Sequence, residues 1–152
     1  MPAVLLGLEY NFSMDDYRFF FPITVRYGDL DPQGHVNNAR YLTYMEQARL
    51  AYLRHLNIWQ GGSFLDLGII LAEARVRFIR AIHWGEAVQV AVRCVRLGNK
   101  SFDMEYRLFD DVCDETFASG FTVQVAYDYR LGKTIPIPEM WRETIIQFEN
   151  LA

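Results

Sequence analysis

The segment from Val36 to Leu56 contains no glycine or proline and consists largely of good helix formers, which predicts one long helix ending near Asn57. At about 100° per residue, one narrow stripe collects the polar residues Arg40, Thr43, Gln47 and Arg54. Apolar side chains cover most of the remaining surface: Ala39, Tyr41, Leu42, Met45, Ala48, Tyr52, Leu53 and Leu56. A helix of this kind must be mostly buried, so the rest of the chain has to enclose it.

Two charged residues of this helix, Glu46 and Arg49, fall within the apolar arc. They are three residues apart, which places them on neighbouring turns of one face. Because a charge in an apolar environment has to be paired or meet a polar site, the spacing predicts a Glu46–Arg49 ion pair.

Patterns typical of β-strands flank the helix. Residues 20–27 alternate between apolar and polar positions, with Ile23, Val25 and Tyr27 on one face. Further strands are predicted after the helix at 69–79, 87–97, 101–109 and 116–127. Residues 97–100 and 110–114 have the composition of hairpin turns, which predicts an antiparallel meander of the last three strands. A short helix is predicted to begin near Pro138. This order predicts an α+β fold, with a curled antiparallel sheet around one helix in a single domain spanning residues 1–152.

Composition narrows the classes of function. Hydrophobic residues make up 51% of the chain and charged residues 22%, which is typical of a folded globular protein. The formal net charge of -4 disfavours nucleic acid as a partner.

Other sequence features bear on location and on metals. Cys94 and Cys113 form no redox or zinc motif, so reduced thiols and a cytoplasmic location are expected. The apolar segment 1–8 lacks a basic start and is too short for a membrane span. His55 and His83 have no second ligand at metal spacing, so no metal site is expected.

The residues before the long helix suggest a reactive site. Asp31 lies in a glycine- and proline-containing loop, 28–34, that leads directly to the helix N-terminus. The free amides of a first helical turn bind an oxygen on which negative charge develops, and the candidate donors run from Val36 to Asn38. Gly34 would let the backbone approach a ligand closely. An Asp before a helix is also a common cap or turn residue, and the local pattern leaves both interpretations open.

The segment from Tyr27 to Arg49 reads YGDLDPQGHVNNARYLTYMEQAR. It resembles the signature of the 4-hydroxybenzoyl-CoA thioesterase branch of the hotdog superfamily, and it is similar to the corresponding segment of plant acyl-ACP thioesterases. Less specific matches occur at 82–88 and 120–123. The resemblance extends over about residues 20 to 130 and implies a hotdog fold and a thioester hydrolase.

The resemblance also implies roles for individual residues. The family's catalytic carboxylate corresponds to Asp31, and its oxyanion amide to about Asn38. His35 matches a histidine of the plant enzymes that the bacterial 4-hydroxybenzoyl enzymes lack. An asparagine implicated in the plant enzymes is Gln33 here. Other hotdog thioesterases place a catalytic Glu on the long helix, which makes Glu46 an alternative carboxylate.

Such a small set of groups is chemically sufficient for thioester hydrolysis. The thiolate that leaves the thioester resembles the thiolate of cysteine, whose thiol has a pKa of about 8.5. It therefore departs with little help from a general acid. Asp31 would either attack the carbonyl carbon or activate water, and the sequence does not separate these two mechanisms. No cofactor is expected, because CoA or phosphopantetheine is part of the substrate.

Binding of the carrier's phosphates requires cations or hydrogen-bond donors. The candidates are Asn99, Lys100 and Ser101, together with Gly34 in the loop and Arg75, Arg77 and Arg80. The resemblance further implies a homodimer or homotetramer, with the acyl groove at the subunit boundary. Aromatic residues, 15% of the chain, could line either an aryl or an alkyl pocket, so the acyl group stays open.

Two other functions are compatible with the same fold. One is an enoyl-thioester hydratase, which also uses an Asp and a downstream His but places them further apart. The other is an acyl-CoA or lipid-binding module without turnover, because a fold does not guarantee a function. Release of free thiol distinguishes the hydrolase from both.

Overall fold

A computed structural model describes residues 13–152, so the predictions made for segment 1–8 lie outside the described residues. Six strands and two α-helices follow one another along the described chain: β1 Phe19–Ile23, α1 Asn38–His55, β2 Ile69–Phe78, β3 Val88–Leu97, β4 Ser101–Asp110, β5 Thr116–Asp128, β6 Lys133–Thr134 and α2 Glu139–Glu149. The predicted α+β order is confirmed, and the long helix lies within the range that its composition predicted.

The strands form one antiparallel sheet in the order β1-β3-β4-β5-β2, and β6 pairs with the end of β5. The predicted meander of β3, β4 and β5 is therefore present. Strands β1 and β2 occupy the two edges. Most of β2 is exposed along its length, as expected for an edge strand.

Helix α1 packs against the concave face of the sheet, mainly on β1 and β3. Met45 is fully buried at its centre, opposite Gly120 of β5. A Cβ atom on Gly120 would overlap the Cε atom of Met45, so the buried Met45 side chain would have to shift if a larger residue stood at this crossing. The helix begins where Asn37 caps it, with its Oδ1 accepting a hydrogen bond from the Ala39 amide at 2.9 Å.

Two details of the predicted core are wrong. Strand β1 ends at Ile23 because the chain turns into a short 3-10 turn at Tyr27–Asp29, which leaves the Tyr27 side chain 74% exposed. Glu46 is exposed and does not pair with Arg49. Arg49 instead is buried against the sheet, where its Nη1 donates to the hydroxyl of Tyr106.

Within residues 13–152, neither helix combines the length and apolar character that crossing a membrane requires.

Candidate active site

The loop that carries Asp31 is closed by its own hydrogen bonds. The Asp31 Oδ1 atom accepts from the amide of Gln33 at 2.9 Å and from that of His35 at 3.2 Å. The Asp31 amide donates to the carbonyl oxygen of His35, and the Gly34 amide to that of Asp31. Gly34 has a φ of +79°, a conformation that glycine adopts without strain. The Oδ2 atom of Asp31 has no hydrogen-bond partner in the described part of the chain and is available to a ligand.

Asp29, two residues earlier, supports this loop from inside the protein. Its Oδ2 atom accepts from the Tyr44 hydroxyl at 2.7 Å and from the Arg26 amide at 3.0 Å, and the Arg40 guanidinium lies 3.6 Å from its Oδ1. Burial raises the pKa of Asp29, but these hydrogen bonds and the positive charge of Arg40 outweigh burial, so the pKa lies below its ordinary value. Asp29 is therefore an ionised, buried anchor, a role that the sequence prediction missed.

The first turn of α1 leaves one amide free. The amides of Val36 and Asn37 donate to backbone carbonyls of neighbouring segments, each at a distance between 2.8 and 2.9 Å. The amide of Ala39 donates to the Asn37 side chain, and that of Arg40 to the Asn37 carbonyl. The amide of Asn38 has no acceptor within residues 13–152. The range of candidate donors from Val36 to Asn38 thus narrows to Asn38, at the positive end of the helix dipole.

The segment between β2 and β3 packs against the Asp31 loop. His83 pairs with His35 as an isolated backbone bridge, and their rings meet edge to face with centroids 4.9 Å apart. Trp84 lies against Tyr27, with ring centroids 5.3 Å apart. These contacts hold both ends of the loop. His35 thus packs against the loop's neighbour, which is compatible with a positioning role.

The candidate carrier-binding residues Asn99, Lys100 and Ser101 lie far from Asp31 in one protomer. Asp31 follows β1, and the last residue of β1, Ile23, pairs with the first residue of β3. Lys100 comes shortly after the last residue of β3. A ten-residue strand spans about 33 Å, so the two groups occupy opposite ends of the sheet. The Lys100 Nζ atom donates to the Thr134 hydroxyl at 3.2 Å. One protomer therefore does not bring these residues together with Asp31.

Arg75 and Arg80, which were proposed with them, form ion pairs with carboxylates other than that of Asp31. Arg75 and Arg77 line a groove of about 690 Å³ on the convex face of the sheet, opposite α1. Arg75 pairs with Glu73 at 3.0 Å. Arg80 is paired with three carboxylates, those of Glu86, Asp110 and Glu115. The positive charge of Arg80 is thereby balanced within the protein.

No cluster of three or more His, Cys, Asp or Glu side chains that could hold a metal ion occurs in residues 13–152. Cys94 is buried, and burial raises the pKa of its thiol to about 12. A thiol in this state is protonated at neutral pH, so Cys94 is unsuited to act as a nucleophile.

Comparison with known proteins identifies relatives over most of the chain. A thioesterase from Thermus thermophilus, solved in complex with coenzyme A and Zn, is 34% identical, with a TM-score of 0.80 over 91% of this chain and all of that one. The 1,4-dihydroxy-2-naphthoyl-CoA hydrolase of Thermosynechococcus vestitus is 26% identical over 118 residues, which cover 76% of this chain and 80% of the relative.

The acyl-CoA thioesterase YbgC of Haemophilus influenzae is 51% identical over a shorter segment of 47 residues, covering 31% of this chain and 35% of the relative. The sequence profile of the thioesterase-like superfamily matches residues 25–145, which include the Asp31 loop, α1 and every strand of the described sheet except β1. The chain therefore belongs to the thioesterase-like superfamily, and its curled sheet around one long helix is the hotdog fold.

Proposed function

We propose that this protein hydrolyses an acyl-CoA thioester to a free acid and CoA, with Asp31 as the catalytic carboxylate and the Asn38 amide as the oxyanion donor. The observation that carries the proposal is the free Asn38 amide, which lies at the N-terminus of α1 and directly follows the loop of Asp31. The two relatives named as acyl-CoA hydrolases, and the thioesterase that was solved in complex with coenzyme A, support CoA as the carrier. A phosphopantetheine carrier on a protein would present the same thioester.

The proposed reaction needs only these groups. The thioester carbonyl oxygen accepts a hydrogen bond from the Asn38 amide, which stabilises the negative charge that develops on that oxygen. Two routes are then open to the Oδ2 atom of Asp31. In one, it attacks the carbonyl carbon, CoA thiolate departs, and water hydrolyses the resulting anhydride. In the other, it removes a proton from water, hydroxide adds to the carbonyl carbon, and thiolate departs. Neither route consumes a cofactor.

We further propose that the active protein is at least a homodimer paired through β2. The exposed edge of β2 has unpaired backbone groups that a second copy can complete. In an antiparallel pair of β2 strands, Ile69 of one copy lies near Phe78 of the other. Because β2 begins at the Lys100 end of the sheet and finishes at the Asp31 end, this pairing brings Lys100 of the partner subunit towards Asp31. Asp31 and Lys100 of the partner subunit then lie at the same end of the paired sheets.

The test of the proposed chemistry is the Asp31→Asn variant, assayed for thiol release from short, medium, long and aromatic acyl-CoAs. An asparagine Oδ1 can still accept both loop amides, so the fold is expected to persist. We expect kcat to fall by orders of magnitude on every substrate that the wild-type protein hydrolyses. Glu143→Gln, on the exposed side of α2, removes the same charge elsewhere and serves as the control.

Three results would contradict the proposal. Unchanged turnover by Asp31→Asn would exclude the carboxylate. Loss of enoyl-CoA absorbance without thiol release would indicate a hydratase. Tight acyl-CoA binding without any turnover would indicate a binding module.

A test of the proposed dimer uses mixed subunits. Sedimentation should show a dimer or larger assembly, and mixing Asp31→Asn with Lys100→Ala subunits should restore activity because one of the two shared sites becomes intact. Failure to restore any activity in a mixture that forms hybrids would contradict a shared site.

A further inference from the structure

Glu86 has a carboxylate that is held from two directions. Its Oε1 atom accepts a hydrogen bond from Nη1 of Arg80 at 2.7 Å. Its Oε2 atom accepts from the backbone amide of His83 at 2.6 Å, and Nδ1 of the His83 ring lies 3.7 Å from the same oxygen. The side chain of Glu86 is 21% exposed, so most of its surface is in contact with the protein. Glu86 therefore joins Arg80 to His83 through both of its oxygens.

The turn at 83–86 depends on this carboxylate. The Glu86 amide donates to the His83 carbonyl oxygen at 3.4 Å, and Gly85 within the turn has a φ of +88°. Within residues 13–152, Oε2 of Glu86 is the one acceptor of the His83 amide. A hydrogen bond to a charged acceptor is stronger than one between neutral groups. The side chain of Glu86 thus closes the turn more firmly than its backbone does.

This turn is paired with the loop that carries Asp31. His83 and His35 form an isolated β-bridge, and their rings meet edge to face. His35 in turn holds Asp31 through two backbone contacts. Its amide donates to Oδ1 of Asp31 at 3.2 Å, and its carbonyl oxygen accepts from the Asp31 amide at 2.8 Å. Two histidines therefore connect Glu86 to the proposed catalytic carboxylate.

The segment next to the turn also contacts the start of α1. The carbonyl oxygen of Ile82 accepts from the Val36 amide at 2.9 Å, and the two residues are 0% and 2% exposed. Val36 comes two residues before Asn38, whose amide is the proposed oxyanion donor. A displacement of the turn is thus transmitted towards both groups of the proposed site.

Arg80 fixes the other end of this chain of contacts to the sheet. The Arg80 amide donates to the Phe117 carbonyl oxygen at 3.0 Å, and its guanidinium lies over the Phe117 ring, 4.6 Å from the centroid. Nε of Arg80 also donates to the carboxylate of Glu115 at 2.9 Å. Glu86 and Glu115 both neutralise this guanidinium, and of the two it is Glu86 that also bonds to His83. The pair therefore separates a role in positioning the turn from a role in neutralising Arg80.

We infer that Glu86 is a positioning residue for the reaction, because it holds the turn 83–86 against the loop of Asp31. The inference rests on the proposed function for the role of Asp31, whereas the contacts that carry it do not depend on that role. Glu86 acts through His83 and does not react with the thioester. A displacement of about 1 Å at a reacting group can lower a rate by about 10²-fold. Loss of the carboxylate should therefore reduce turnover and leave substrate binding in place.

The first experiment compares two alanine variants, each of which removes one carboxylate from Arg80. Glu86→Ala should lower kcat for acyl-CoA hydrolysis by about tenfold to hundredfold and leave KM within about twofold of the wild-type value. Glu115→Ala is the matched control and should leave both values in place. Both variants are expected to fold, because Arg80 keeps two of its three carboxylate partners in each. An unchanged kcat in Glu86→Ala, or an equal loss in both variants, would overturn the inference.

Glu86→Gln separates the hydrogen bond from the charge. The glutamine side chain retains one oxygen that can accept from the His83 amide, and it lacks the negative charge. We expect Glu86→Gln to recover most of the turnover that Glu86→Ala loses. Equal losses in the two folded variants would show that the charge is responsible and not the bond to the turn, which would overturn the inference.

Nuclear magnetic resonance tests the same contacts without turnover. The chain contains three histidines. The rings of His35 and His83 lie against each other, whereas that of His55 lies against two phenylalanines at the C-terminal end of α1. In Glu86→Ala, the ring-proton shifts of His35 and His83 should change and those of His55 should not, while Glu115→Ala should leave all three in place.

This measurement separates the inference from the proposed catalysis. Shifts that change as expected support the role of Glu86, even if the wild-type protein releases no thiol and the proposed hydrolysis is wrong. Unchanged shifts at His35 would overturn that role, even if hydrolysis is established.

Discussion

Replacing Tyr44 by phenylalanine removes one hydroxyl from the support of the Asp31 loop, with almost no change in shape. The hydroxyl donates to the Asp29 carboxylate at 2.7 Å, and both residues are buried. Hydrogen bonds to charged groups contribute about 1.5 to 3 kcal/mol. Because the Arg26 amide and the Arg40 guanidinium remain near Asp29, we expect the Tyr44→Phe variant to lose about 2 kcal/mol of unfolding free energy at neutral pH.

This loss should depend on pH in a defined direction. The pKa of Asp29 is lowered from its ordinary value of 3.8, so the ionised carboxylate stabilises the fold above that pH. The stabilisation is lost as the pH falls through the lower pKa of the folded state. Removing the Tyr44 hydroxyl should therefore cost most at pH values above the ordinary pKa, and the difference from wild type should shrink in more acidic solution.

Urea denaturation at a series of pH values measures both effects. Tyr129→Phe is the matched control, because its hydroxyl donates to the uncharged carbonyl of Ile69 at the same distance of 2.7 Å. The control should lose about 1 kcal/mol without a comparable dependence on pH. A Tyr44→Phe protein that is as stable as wild type, or whose deficit does not change in acid, would refute the role of Asp29 as a buried, ionised anchor.

Two further substitutions test the geometry. Gly120→Ala places a Cβ atom against the fully buried Met45 and should cost about 1 to 3 kcal/mol of unfolding free energy. Thermal denaturation should show a smaller cost of the same substitution in a Met45→Ala background. An equal cost in both backgrounds would mean that the contact with Met45 is not responsible. Gly34→Ala puts an alanine at a φ of +79°, although no atom lies within 4 Å of the new Cβ. The backbone strain should cost roughly 1 kcal/mol of unfolding free energy. Because the strain acts on the loop that carries Asp31, kcat should also fall. Unaltered kcat would indicate that the loop conformation does not control the reaction.

Much of the fold is predictable because it depends on local patterns. The absence of glycine and proline from 36–56 and the alternation in the four later strands placed those elements within one or two residues of their observed bounds. Strand β1 was predicted too long, because Arg26 leaves the strand to bond with Asp29, and alternation alone does not report that bond.

The site is less predictable because it depends on tertiary contacts. Spacing placed Glu46 and Arg49 on one face, but the hydroxyl of Tyr106, on a strand far along the chain, determines where Arg49 points. The motif predicts a range of backbone amides as oxyanion donors. The structure leaves the Asn38 amide free, because backbone carbonyls accept hydrogen bonds from the amides of Val36 and Asn37. Two Asp residues stand two positions apart in the loop. Sequence reasoning selected Asp31 and did not detect that Asp29 is the buried one.

The measurement that tests the proposed catalysis most directly is the turnover of Asn38→Pro. Asn38 is the first residue of α1, where proline is tolerated, and the Asn37 backbone at φ -59° and ψ 139° is compatible with a following proline. The substitution removes the one free amide of that turn and keeps the helix, whereas Asn38→Ala removes the side chain and keeps the amide. Loss of an oxyanion donor should lower kcat for acyl-CoA hydrolysis by about 10² to 10³ in Asn38→Pro, with little effect in Asn38→Ala. Equal turnover by two folded variants would contradict the account.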